Sequence, residues 1–254
     1  MESTNTNIRE ALLDIRKKID EILGQDAPEQ KAENRRSPVA ECQELFFTIL
    51  SQAAQKKPAH EVGGQITLHN ADYGDILMDC IHPIDGGKRG LYLFHHAFPE
   101  MEFDAAEAAG RGQDYGNNDY QLSNVRAWQN STLVDWWKRT HIFDAPPSYA
   151  DKPGLLHGFD SETMARIVPF EDGDVFRLLS AEEVEGGIPY LQTEEGKKLL
   201  SKTDKNSTAV WWWLRSPDPN FPDYVRHVHT DGNTYSSASA YGRDEGVAAA
   251  CVIE

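Results

Sequence analysis

The chain has 254 residues, of which 39% are hydrophobic and 10% aromatic, enough to bury a core and to exclude global disorder. Its formal net charge of −16 argues against duplex nucleic acid and against an anionic membrane surface as partners, since both repel an acidic protein. Cys42, Cys80 and Cys251 are widely separated and odd in number, without the Cys/His spacing of a structural metal site, so buried free thiols in a reducing compartment are expected.

Met1-Glu-Ser-Thr-Asn has no basic stretch or apolar run of the signal-peptide kind, and no run reaches transmembrane length. The expectation is no signal peptide, no membrane insertion, and a product that is cytoplasmic as synthesised, with virion association the alternative if the source is a phage. Residues 8–24 predict a helix, because Ile8, Leu12, Ile15, Ile19 and Ile22 form a short heptad seam that Gly24 stops. This seam offers either homo-oligomerisation through residues 8–22 or packing on the chain's own body. The polar stretch 25–38 is read as a linker, and 39–56 as a second helix with Leu45, Phe46, Ile49 and Leu50 on its apolar face. Residues 1–60 thus form a helical N-terminal segment.

From residue 64 the texture changes to short strands. Gln65–Leu68 and Ile76–Ile81 flank the turn-prone Asn70–Gly74, which predicts a hairpin, and Leu91–Phe94 is a further strand. A helical block follows: Ser131 is read as N-cap for 132–138, and Asp160/Ser161 for 162–167. Ser180-Ala-Glu-Glu183 carries the capping-box pattern. Beyond Ala209 the sequence reads as strand and turn. Helices, strands, helices and then strands favour an α+β fold over a doubly wound parallel sheet.

Taken in order, five segments carry a resemblance: Trp128–Trp137, Gly158–Pro169, Asp174–Glu183, Trp211-Trp-Trp-Leu-Arg-Ser-Pro217 and Gly246–Ile253. They resemble a bacterial and phage domain family marked by a Trp-Trp-Leu-Arg-Ser-Pro signature, itself similar to the C-type lectin fold of the formylglycine-generating-enzyme type. The resemblance spans 64–254 and implies a C-type-lectin-type ligand-binding domain in which the final strand closes beside a strand of 64–82. One departure is Ala248-Ala249, where the family usually carries Arg-Pro. Alternation along a strand sets Trp211 and Trp213 on one side and Trp212 on the other, where their rigid indoles would serve as scaffold.

Residues 218–244 are rich in Tyr, Ser, His, Asn, Asp and Arg and contain no Lys, Glu, Gln, Met or Trp. The first set is the vocabulary of adaptable binding surfaces. The absent set bears on the resemblance, because C-type-lectin-fold proteins are the usual targets of diversity-generating retroelements. Those elements mutate adenines, and an Asn codon randomised in its first two positions cannot yield Lys, Glu, Gln, Met or Trp. Residues 218–244 are therefore the candidate variable region. Its candidate ligand-binding residues are Asp218, Asn220, Phe221, Tyr224, Arg226, His227, His229, Thr230, Asn233, Tyr235, Ser237, Ser239, Tyr241 and Arg243. Val225, Val228, Ala238 and Ala240 are expected to face inward. A turn-rich polar sheet with no binding role is the plainer account of the same residues.

The expected partner is a protein or cell-surface ligand, with no nucleic acid, no cofactor and no catalytic residues. His227 and His229 could share one side of a strand, but no third metal ligand is evident, and His95-His96 reads as a strand end. No phosphate loop, nucleophile elbow or HExxH pattern occurs. A non-diversified structural domain and an oxidase-like enzyme of the same fold are the alternatives.

Overall fold

The chain divides into two compact units, Met1–Pro58 and Ala59–Glu254. A computed structural model describes residues 60–106, 116–140, 142, 144–234 and 236–254. The expected helices over 8–24 and 39–56, the linker, the 8–22 seam, Cys42 and Tyr235 lie outside the described residues.

Among the described residues the fold is a mixture of helices and two sheets, with more strand than helix. β1 (Gln65–Asn70) and β2 (Gly74–Ile84) form the expected hairpin. The Asn70 side chain sets its turn, accepting from the N–H groups of Asp72 at 2.9 Å and Tyr73 at 3.0 Å. Gly74 completes it at φ 72°, a left-handed conformation that suits a residue without Cβ. β3 (Arg89–Phe94) pairs antiparallel with β2 across a bulge between Cys80 and His82.

The helical block is shorter than expected. α1 (Asn124–Gln129) is capped by Ser123, whose side chain accepts from the Arg126 N–H. The helix expected over 132–138 does not form. There the carbonyls of Ser131 and Leu133 accept instead from Leu156 and Gly154, and the Ser131 hydroxyl accepts from the Leu133 N–H. Long-range pairing has taken the acceptors that a helix would have used. α2 (Ser161–Arg166) starts where Asp160 caps the Thr163 N–H at 2.7 Å, and runs straight into β4 (Ile167–Val168). The capping box closes reciprocally: the Glu183 N–H donates to Ser180 Oγ at 3.1 Å and the Ser180 N–H to Glu183 Oε2 at 2.7 Å. α3 (Glu194–Leu200) follows.

The C-terminal strands are β5 (Trp211–Pro217), β6 (Tyr224–Val228), β7 (Ser236–Ser239), β8 (Glu245–Gly246) and β9 (Ala250–Ile253). One sheet has the order β1-β2-β3-β9-β4 and the other β7-β6-β5-β8. Two expectations are corrected here. The run 246–253 is not one strand: β8 lies parallel to β5, and β9 belongs to the first sheet. β9 does share a sheet with the 64–82 strands, but its neighbours are β3 and β4. The crossing is tight, since a Cβ on Gly246 would stand 2.4 Å from the Phe98 carbonyl oxygen. Ala248 and Ala249 are fully buried within it, where small side chains fit.

Cys80, Met78, Leu91, Leu93, Cys251 and Ile253 belong to the core, together with Trp128, Trp212 and Trp213. Cys80 and Cys251 are free thiols, and burial pushes the pKa of both upward. Both deep indoles of β5 find acceptors: Trp212 Nε1 donates to the Leu200 carbonyl at 2.9 Å, and Trp213 Nε1 to that of Met101 at 2.7 Å.

Candidate functional site

Segment 218–244 folds as a loop after β5, then β6, a turn, β7 and a second turn that leads into β8. Val225 and Val228 are buried as expected. Of the candidate ligand-binding residues, Asn220, Phe221, Tyr224, Asn233, Tyr241 and Arg243 are exposed. Asp218, Arg226, His229, Thr230, Ser237 and Ser239 are half-buried.

His227 departs from the expected display, being only 2% exposed. The reason is the register: Trp213 pairs with His227, and Trp212 with Val228. Strict period two then places His227 on the side of Val225, not on the side of Tyr224 and Arg226. Its ring centroid lies 5.2 Å from that of Trp211 and 6.2 Å from that of Trp213. Ser239 is half-buried, but its hydroxyl oxygen is fully enclosed and has no hydrogen-bond partner. Ala240 is buried as expected, whereas Ala238 is only half-buried.

The structure brings the remaining candidates into three groups. In the first, the rings of Phe221 and Tyr224 lie 5.3 Å apart, and Ser237 Oγ donates to Asp218 Oδ2 at 2.7 Å. That hydroxyl, then the Asn220 N–H, holds the Asp218 carboxyl below its usual range. Arg226 reaches Glu185 Oε1 at 2.5 Å and the Thr234 carbonyl. The same Glu185 oxygen accepts from Thr234 Oγ1 at 2.6 Å, and this bond, followed by Arg226, lowers the Glu185 pKa. In the second group, the turn 229–233 closes where the His229 N–H donates to the Asn233 carbonyl, and the His229 ring lies 4.6 Å from that of Trp211. In the third, Tyr241 and Arg243 line a depression with Ala105 and Pro146, and Arg243 Nε donates to the buried Glu102 at 2.6 Å.

Sequence reasoning missed the residues that hold this segment from outside it. The Asn118 side-chain amide donates to the carbonyls of Phe221 at 2.9 Å, Tyr224 at 3.1 Å and Asp218 at 3.4 Å. The Asn118 N–H donates to the Pro222 carbonyl at 3.1 Å. Glu102, Asn118 and Glu185 are far from 218–244 in the chain, and no local pattern marks them. A signal for Asn118 would have to come from pairing between distant positions.

Beneath the segment, His227 Nε2 stands 2.6 Å from Ser236 Oγ, and Nδ1 lies 3.4 Å from Glu245 Oε1. Hydroxyl, imidazole and carboxylate in this order are the parts of a nucleophile relay. The geometry fits that role poorly, since Nδ1 makes no hydrogen bond to the carboxylate. We read the trio as a buried polar strut joining β6, β7 and β8.

Among the described residues no group of three His, Cys, Asp or Glu is placed to hold a metal, and no helix is long and apolar enough to cross a membrane. Fold and surface together define a mixed α+β domain whose polar, aromatic-bearing segment is anchored from distant parts of the chain. The chain belongs to the family described as domain of unknown function (DUF6273), whose model matches residues 101–254. No curated protein and no solved structure matches it.

Proposed function

We propose that this is a ligand-binding protein built on a C-type-lectin-type domain, presenting residues 218–244 to a protein or cell-surface ligand. The composition of that segment fits the variable protein of a diversity-generating retroelement in a phage or bacterium. The observation that carries the reading is the grip of Asn118 on the carbonyls of Asp218, Phe221 and Tyr224. Backbone acceptors are present whatever the side chain. A loop fixed through them keeps its course while its side chains change, as a diversifiable surface requires. Phe221, Tyr224 and Tyr241 are 56%, 37% and 43% exposed, although such rings gain by burial.

The test is a fourfold variant with Phe221, Tyr224, Asn233 and Tyr241 all changed to Ala. Exposed changes away from caps and strain usually stay within about 0.5 kcal/mol of neutral each, so the variant should melt within a few degrees of the parent. Collapse of the fold would make these side chains structural and end the proposal. The retroelement has its own test in the flanking DNA: a reverse-transcriptase gene beside a template repeat that differs from the 218–244 codons mainly at adenines.

A further inference from the structure

The start of β2 and the segment that follows β3 flank a mostly apolar cavity of about 170 Å³ that includes none of residues 218–244. Its apolar wall comes from Tyr73, Ile76, Ala97 and Phe98, and its polar lining includes His96 and Lys205. We propose that this cavity is a binding site for a small aromatic carboxylate, with the ring against Tyr73 and Phe98 and the carboxylate at His96 and Lys205.

Size and shape favour a ring. A cavity of about 150 Å³ lined by apolar side chains is known to take up benzene, so one six-membered ring fits here. The rings of Tyr73 and Phe98 meet edge-to-face at 5.4 Å, and both pack edge-to-face on Trp128, at 5.7 and 5.5 Å. That braced aromatic wall offers a further ring the arrangement that aromatic pairs prefer.

Charge at the rim favours an anion. Lys205 is anchored at the mouth, where Nζ donates to the Tyr73 carbonyl at 2.9 Å, and an ammonium has further N–H donors to give. His96 Nδ1 stands 3.3 Å from Thr203 Oγ1, and the residue lines the same cavity as Lys205. Burial first, then His95, against an upward pull from the Thr203 backbone, depresses the His96 pKa, so at neutral pH the ring is uncharged and Lys205 supplies the positive charge. One carboxylate, that of Asp204, also lines the cavity. It is engaged in its own loop, where Oδ1 accepts from the N–H groups of Asn206 and Thr208 at 2.8 Å each. The backbone supplies a second observation. Of the three non-glycine residues with positive φ among the described residues, Glu100 and Ser207 directly follow the lining residues Pro99 and Asn206. Strained conformations of this kind cluster at ligand clamps.

The experiment is a ligand-detected NMR titration of the full chain with phenylacetate, alongside 2-phenylethylamine, which has the same ring and the opposite charge. Phenylacetate should saturate and the amine should bind more weakly. Lys205→Ala, at an exposed position, should weaken phenylacetate by about tenfold, the scale of one charge-assisted hydrogen bond. Leu77→Trp, which fills the cavity from its half-buried wall, should abolish binding while the melt stays cooperative. If that variant does not fold, Lys205→Glu tests the same point from the rim and should also abolish binding. Phe221→Ala and Tyr224→Ala should leave the affinity unchanged. The proposal is overturned by failure of phenylacetate to saturate, by equal or tighter binding of the amine, or by undiminished affinity in Lys205→Ala. Loss of binding in Phe221→Ala or Tyr224→Ala would place the probe on the 218–244 surface and would equally overturn it.

Discussion

Burial of Lys202 sets an ammonium beside the Phe94 carbonyl, to which Nζ donates, with the Trp212 ring centroid 6.0 Å away. Desolvation lowers its pKa to about 7, against a partial upward pull from Asp79. The sign follows from proton counting. Between about 7 and the unfolded value of 10.5, the unfolded chain holds a proton that the folded chain has released. Stability from this group therefore rises with pH across that window, by at most about 1.4 kcal/mol per pH unit, and is lost as pH falls toward 7. Lys202→Met removes the charge while keeping much of the stem. The wild-type protein should gain stability relative to Lys202→Met as the pH is raised from 7 to 9.5, as measured by urea denaturation. Parallel stability curves for the two proteins would mean that Lys202 is not titrating in the core. His227 makes a related point, since a histidine read from local pattern as displayed is a core residue once the register of β5 and β6 is known.

Ser180–Glu183 shows how an element's start couples to its surroundings. The serine makes one capping bond, whereas Glu183 also accepts from Arg177 at 2.7 Å and lies 3.2 Å from the guanidinium of Arg215. Ser180→Ala should cost about 1 kcal/mol, the usual value of a lost cap. Glu183→Ala should cost more, on the order of 2 kcal/mol, because it frees the Ser180 N–H and leaves two arginines without this partner. Partial exposure limits what either ion pair contributes. Thermal melts of the two variants decide the order, and equal losses would reduce Glu183 to its capping bond. The capping box could be read in advance because both of its bonds lie within four residues. The helix expected over 132–138 could not, because Gly154 and Leu156 claim its carbonyls.

Across the whole molecule, the end of the chain joins both sheets. β8 extends the sheet that carries 218–244, Val247 bridges to Phe98, and β9 sits between β3 and β4. An interior strand satisfies backbone groups on both sides, so its loss exposes two rows of them and opens the core. A fragment of residues 59–254 should therefore melt cooperatively, whereas 59–246 should give no cooperative transition by circular dichroism. A cooperative melt of the shorter fragment would show that the C-terminal sheet and loops fold without the closing strand.

Short-range physics settled much of this protein in advance. The hairpin at 65–81, the strand at 91–94, the caps at Asp160 and Ser180, the inward Val225, and the polar composition of 218–244 all depend on a few neighbouring residues. Turn propensity, capping and period-two burial act over that range. The tertiary structure alone decided the neighbours of β9, the burial of His227, the clamp from Asn118 and the cavity under His96. Each of these depends on groups brought together from distant parts of the chain. No local preference encodes which distant carbonyl an Asn118 amide will find, or which side of a sheet a register will turn inward.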